Sequence, residues 1–386
     1  MCGIIVGINS KGAKTMSAAK QLNYGLDDIQ EAISNDELAP KLSNWVEKAI
    51  EAFDTTGEPN YMDSQGELIE GIYINMPNDL YHSLPALSSS QLKEFKESPP
   101  HYYRRYLSGI EVKRTLQMKR TFDAGTLGHE LILEPEDFYN KYFRELLPID
   151  APDALHTEAQ IKAELEKHNL KTTGAKAVKI ERLMQHDPTA QVFDHLQRLN
   201  REKEGSQSTA IIEGEEKTLY GGKQGVDGQV WDSALRIVKS LKSEPQADAY
   251  INYGLPEVAI ISRCPRSGLL LKVKFDWLRF DDEAADVKTT RSANPDDFSR
   301  QMRSLKYDLQ QAFYTYVASL VGIHIRRFLF VTVEYASADY CQLFKIKESR
   351  LAKAFDEMHQ AKDEFVECKR TGKWLSRYSG SVIELD

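Results

Sequence analysis

The chain has 386 residues and 41% hydrophobic content, enough to bury a large core, and its length suits one big domain or a domain with additions. Four cysteines (Cys2, Cys264, Cys341 and Cys368) stand far apart with no C-x-x-C pair, which argues against a zinc ribbon or a disulfide framework and fits a reducing cytoplasm. No apolar run reaches the roughly 18 residues of a membrane span and no signal-peptide layout is present; the formal net charge of −8 argues against wholesale coating of nucleic acid but leaves room for a local basic channel.

The opening MCGIIVG resembles the start of class II glutamine amidotransferases, where loss of Met exposes a cysteine that is both nucleophile and N-terminal amine. Residues 11–60 read as helical and acidic, without the successive strands such a domain needs, so Cys2 is expected to be inert. Residues 1–70 are expected to form an accessory N-terminal helical segment that closes in the turn-rich TTGEPNYMDSQGE. From Gly71, LSSSQLKEFKESPPHYYRRYL starts a short amphipathic helix with a serine cap and breaks at Pro99 and Pro100. A second helix then carries Tyr102, Tyr103, Arg104, Arg105 and Tyr106, with Lys113, Arg114, Lys119 and Arg120 close behind. A solvated basic face and a DNA-binding face with interleaved aromatics are both open readings of this run. In FDAGTLGHELILEPEDF a helical pattern turns Leu127 and Leu131 inward, with His129 and Glu130 beside them. A lone helical histidine is most often structural, and it gains meaning only if carboxylates converge on it.

The stretch AQIKAELEKHNLKTTGAKAVKIERL reads as two helices joined by a Thr-Thr-Gly turn, the second carrying Lys176, Lys179 and Arg182. It resembles the SAP motif, a small DNA-binding helical element, with Leu165, Leu170, Gly174, Lys176, Ile180 and Leu183 at that pattern's signature positions. Residues 196–228 are polar and glycine-rich and read as a loop. Three strands follow: PEVAIIS, then LLLKVKFDW after a turn at Gly268, then AADVKTT. Strand alternation sets Lys272, Lys274 and Asp276 on one face, and Asp286 and Lys288 on one face opposite Val287. These charges could be ordinary groups on a hairpin surface. If the two strands turn their polar faces the same way, Asp276 and Asp286 can share one divalent cation, with Lys288 about 6–7 Å along the strand from Asp286.

A single long helix is expected next, with Asn294 as cap, Pro295 in the first position, and Asp296 and Asp297 in the first turn. Phe298, Met302, Leu305, Leu309 and Leu320 form its inward stripe, and Arg303, Tyr307, Gln310 and Tyr314 a second one. RRFLFVTVEYA reads as a buried strand, so strand, helix and strand make a parallel crossover.

The order helix, three strands, helix, strand, with His on the first helix, Asp on the second strand, Asp-x-Lys on the third and Gln-x-x-x-Tyr on the next helix, resembles the PD-(D/E)XK nuclease superfamily. Within it, PNDLYHSLPALSSSQLKEFKESPPHYY, GTLGHELILEPEDF, KFDWLR, DVKTT and YDLQQAFY resemble the exonuclease VIII (RecE) family over roughly residues 71–386. Residues 1–70 have no counterpart, and residues 152–187 look like a SAP-like helical insertion. The resemblance implies an α/β (α+β) restriction-endonuclease-like core, a mixed sheet flanked by helices. It implies a Mg²⁺-dependent exodeoxyribonuclease, with Mn²⁺ able to substitute, that degrades linear double-stranded DNA from an end, 5′ to 3′, in phage-type recombination. His129, Asp276, Asp286 and the Val287 carbonyl would hold the metal. Lys288 would activate water with its pKa lowered by neighbouring cations, and Gln310, Tyr314 and Glu257 would complete the catalytic set, although Glu257 also reads as an exposed edge carboxylate. DNA would be met by Arg104, Arg105, Lys176, Lys179, Arg182 and Arg303. Partners implied are duplex DNA ends, a single-strand annealing protein and a ring-shaped homo-oligomer, in the cytoplasm and away from membranes. A non-catalytic DNA-binding protein using the SAP-like hairpin is the alternative, and an amidotransferase-like or structural protein is a third reading that would need chemistry at Cys2.

Overall fold

Runs rich in Val, Ile, Phe and Ala between residues 254 and 334 pair edge to edge, because only neighbouring strands can satisfy backbone amides buried on both faces. The computed structural model describes residues 43–109, 123–212, 215–335, 338–380 and 382. MCGIIVG with Cys2, most of the 1–70 segment, and Lys113, Arg114, Lys119 and Arg120 lie outside the described residues. The chain divides into two units, one formed by residues up to 121 and from 239 onward, the other by residues 122–238.

In chain order the strands are β1 (Ala49–Glu51), β2 (Gly71–Ile74), β3 (Leu87–Ser88), β4 (Tyr142–Arg144), β5 (Gln207–Ile212), β6 (Glu215–Tyr220), β7 (Lys223–Val226), β8 (Gly254–Arg263), β9 (Leu270–Arg279), β10 (Glu283–Thr290), β11 (Arg327–Glu334) and β12 (Tyr340–Phe344). The first unit is built on an eight-stranded mixed sheet of order β1-β2-β8-β9-β10-β11-β12, with β3 pairing β9. β8, β9 and β10 form an antiparallel meander, while β10 and β11 run parallel in the register Asp286↔Phe330 and Lys288↔Thr332. The expected parallel crossover is present. Helix Tyr307–Leu320 packs on β8 and β9, and against helices Ser89–Glu97 and Glu348–Thr371. Helix Ser89–Glu97 starts as its sequence demands: the Ser88 hydroxyl accepts from Gln91 N, and the Gln91 side chain accepts from Ser88 N at 2.9 Å. Such a cap stabilises a helix by about 1 kcal/mol.

The structure corrects three expectations. Residues 43–70 do not stand apart as a helical segment: β1 extends the main sheet parallel to β2, and Ala52, Tyr61 and Leu68 pack in one apolar cluster with Tyr73. The single long helix is two, Pro295–Ser304 and Tyr307–Leu320, because Lys306 takes a left-handed conformation (φ 54°) that breaks the hydrogen-bond ladder. The Asn294 cap does hold, its Oδ1 accepting from Asp296 N at 3.0 Å. Residues 196–228 are structured, with helix Phe193–Glu204 followed by β5, β6 and β7.

The second unit therefore spans more than the helical insertion. Its sheet has the order β4-β7-β6-β5, and β6 turns into β7 through Gly221 and Gly222, both at positive φ. A Cβ at Gly221 would fall 1.8 Å from the Glu204 carbonyl oxygen, so only glycine fits there. The helical hairpin is present as helices Glu158–Lys167 and Lys176–His186, closed over Ile161, Leu165, Leu183 and Val192. Among the described residues no helix is long and apolar enough to cross a membrane.

Candidate active site

β9 and β10 are adjacent and antiparallel, so Asp276 and Asp286 come from neighbouring strands. Asp276 Oδ2 accepts a hydrogen bond from the backbone N–H of Val287 at 2.7 Å, which ties the first carboxylate to the middle of Asp-Val-Lys. Asp286 is 1% exposed. Its Oδ1 accepts from Gln310 Nε2 at 2.6 Å, and its Oδ2 is ion-paired with the Lys288 ammonium. Lys288 lies over the Tyr307 ring, 5.0 Å from its centroid. The two helices that replace the expected long one matter here, because the second begins at Tyr307 and its first turn presents both Tyr307 and Gln310.

The Lys288 ammonium sits under opposing influences. Burial works against its ammonium, but the carboxylates of Asp286 and Asp276 outweigh burial and hold it above the ordinary lysine value. Its ion-pair partner is the Asp286 carboxylate. Tyr314 is held well above the ordinary tyrosine value, first by burial and then by Tyr81, Asp276, Asp286 and Glu257 nearby. It packs edge-on against Phe275, with ring centroids 5.1 Å apart. Tyr314 is thus a packed aromatic and a neighbour of the carboxylates at once.

Glu257 is not an exposed edge group. The pairs Pro256↔Trp277 and Val258↔Phe275 flank it, so it stands opposite Asp276 at a step where the ladder is not made. Its φ of 53° costs roughly 1–3 kcal/mol for a residue with a side chain, strain that only surrounding contacts can hold. Its carboxylate is ion-paired with Lys274, which also donates to Asn78 Oδ1 at 3.0 Å. Lys272, one strand period before Lys274, is 1% exposed and donates to the carbonyls of Tyr81, His82 and Leu84 at 2.7, 3.0 and 2.8 Å. It closes the C-terminal end of helix Asn78–Ser83.

One participant escaped the sequence reading. Lys93, on helix Ser89–Glu97, places its ammonium 3.4 Å from Gln310 Oε1 and 3.3 Å from the Leu305 carbonyl. Burial first, and then the Lys288 charge, push its pKa down to about 8. No periodicity in the sequence marks this residue, because its partner is 217 positions away.

The other expected residues stand on other elements. His129 sits on helix Asp123–Leu133 of the second unit. Arg303 is exposed near the end of helix Pro295–Ser304, and the helix break takes it off the Gln310 stripe. Arg104 and Arg105 are exposed on a π-helical turn, Tyr103–Leu107, where Arg105 pairs with Glu94 at 2.9 Å. In the helical hairpin Lys176 pairs with Asp194 at 2.8 Å, and Arg182 reaches the carbonyls of Lys171 and Thr173. Lys179 needs correction as a DNA contact: it is 3% exposed and ion-paired with Glu158, so its charge is not offered to an outside phosphate. Among the described residues, no three His, Cys, Asp or Glu side chains are grouped so as to hold a metal ion.

Residues 215–382 match the family model of a PDDEXK-like domain of unknown function. No curated protein matches the sequence. A solved structure, that of a candidate exonuclease from Eubacterium rectale, is similar at 12% identity and a TM-score of 0.43, over 81% of this chain and 96% of that one. The mixed sheet flanked by helices agrees with the family match, and the matched stretch is the one that carries Asp276, Asp286, Lys288, Gln310 and Tyr314.

Proposed function

We propose that the protein is a metal-dependent nuclease that degrades linear double-stranded DNA from an end. The observation that carries this reading is the union, on adjacent strands, of Asp276 with Asp286-Val287-Lys288, with Gln310 bonded to Asp286. Two carboxylates whose charge already attracts an ammonium offer hard oxygen donors, which suit Mg²⁺ or Mn²⁺. Asp276, Asp286 and the Val287 carbonyl would hold the ion. When bound, the metal would supply Lewis-acid neutralisation of phosphate charge and a more acidic water.

The chain's own residues would do the rest. Asp276, fixed by the Val287 N–H, keeps its carboxylate aimed across the β9–β10 pair. Gln310 holds one Asp286 oxygen and leaves the other to Lys288. Lys288, held charged beside Asp286, would stabilise negative charge that develops on a phosphate oxygen. Tyr314, kept protonated, would serve as a hydrogen-bond donor at the carboxylate cluster. Exonucleolytic polarity from 5′ to 3′, a role in recombination with an annealing protein, and ring assembly are proposed from the exonuclease VIII resemblance only.

The test is a comparison of end-labelled linear duplex with closed circular duplex, with Mg²⁺ or with EDTA. Loss of linear DNA alone, abolished by EDTA, is the expected result. Asp276→Ala and Asp286→Ala should each abolish cleavage while folding normally. Metal-dependent turnover at the parent rate by either variant would refute the site, and equal cutting of circles would replace the exonuclease reading with an endonuclease one.

A further inference from the structure

Gln310 has an amide with two unlike ends, and a half-turn of its terminal torsion exchanges donor for acceptor. At 8% exposure, water has little access to correct a wrong choice. In the observed orientation the NH₂ group meets Asp286 and the carbonyl oxygen meets the Lys93 ammonium. The flipped amide would set its oxygen against a carboxylate and its NH₂ against an ammonium, unfavourable at both ends. Lys93 is itself held in place by the Leu305 carbonyl at 3.3 Å, which the helix break between Ser304 and Tyr307 leaves without an intrahelical partner. Lys93 and Lys288 both lie over the Tyr307 ring, at 5.9 and 5.0 Å from its centroid. The result is a chain of alternating charge and dipole: Lys93, Gln310, Asp286, Lys288.

We propose that Lys93 is a positioning residue of this site, one that fixes the orientation of the Gln310 amide and through it the Asp286 carboxylate. The proposal rests on the nuclease reading above, and Lys93 lies outside the residues matched by the PDDEXK-like family model. A second ammonium close to Lys288 is a poor choice for stability, as its lowered pKa shows, and a cation kept in an unfavourable place is what a functional constraint leaves behind.

The experiment is a four-protein cycle of parent, Lys93→Met, Gln310→Ala and the double variant, with Lys93→Arg alongside. With Mg²⁺ and end-labelled duplex, Lys93→Met should lower kcat about tenfold or more with KM for DNA changed less than about twofold. Lys93→Arg should recover much of the loss, and the double variant should be no slower than Gln310→Ala. An unchanged kcat, a loss confined to KM, or losses that multiply in the double variant would each overturn the assignment. The same proteins unfolded in urea without metal give a second readout, in which non-additive midpoints are expected. If the parent cuts no DNA, the nuclease reading fails, and additive midpoints would then sink the Lys93–Gln310 contact on their own.

Discussion

Lys93 and Lys288 share one tyrosine ring, yet their charges are held in opposite senses. Lys288 is kept charged by two carboxylates that outweigh burial, while burial and Lys288 lower Lys93 to about 8 from an ordinary 10.5. Below about pH 8 both the folded and the unfolded chain carry the Lys93 proton. Between there and 10.5 only the unfolded chain does, so this residue makes folding stability rise with pH across that window. In metal-free buffer the parent should gain stability relative to Lys93→Met between pH 8 and pH 10, read as the gap between urea midpoints. A gap that stays constant, or one that moves the other way, would contradict the environment described for Lys93. Lys272 makes a simpler case, since its ammonium satisfies three carbonyls at the end of helix Asn78–Ser83. Lys272→Met keeps the buried stem but leaves those acceptors unmet, and should cost about 1–3 kcal/mol in urea unfolding. A cost near zero would mean that the carbonyls find other donors.

Among the elements, the break at Lys306 does the most to shape the site, and it is where the sequence misleads. Met302, Leu305 and Leu309 continue a helical spacing without interruption, yet Leu305 is 49% exposed, so the apparent stripe is not a buried one. Lys306→Gly should stabilise the protein by about 0.5–1 kcal/mol, because glycine enters the left-handed region without the Cβ clash while giving up some unfolded-state entropy. Loss of stability on that substitution would mean that the lysine stem contributes packing of its own. β9 and β10 were legible from the polar–apolar alternation that sets Asp276, Asp286 and Lys288 on a shared face, and β8 and β11 from their apolar runs. β5–β7 were not: Ile211 is 73% exposed and Ile212 37%, so no buried face imposes alternation there. β1 has three residues, too few for any period to register. Lys93 was illegible for a different reason, since its role lies in a contact between distant segments and leaves no local pattern.

For the whole molecule, a formal net charge of −8 means that the proposed DNA substrate would have to be attracted locally, against a repulsive background. Of Lys176, Lys179 and Arg182 in the helical hairpin of the second unit, two remain available for this. Lys176 and Arg182 keep partly exposed side chains, whereas Lys179 is buried against Glu158 and its charge is neutralised inside the unit. If the hairpin touches phosphates, replacing Lys176 and Arg182 together by glutamine should weaken binding and reduce the slope of log K against log salt by up to about two, roughly one for each phosphate no longer neutralised. Sequence preference and turnover at saturating DNA should be unchanged, because neither residue belongs to the carboxylate site. Lys179→Met should behave differently: it removes the ion pair with Glu158, which keeps Lys162 and solvent, and lowers the stability of the hairpin more than it changes the salt slope. Titrations at several salt concentrations, paired with thermal unfolding, separate the two effects. Superimposable slopes for the parent and the Lys176/Arg182 double variant would leave the hairpin as a spacer or a protein-binding element and remove it from the path of the DNA.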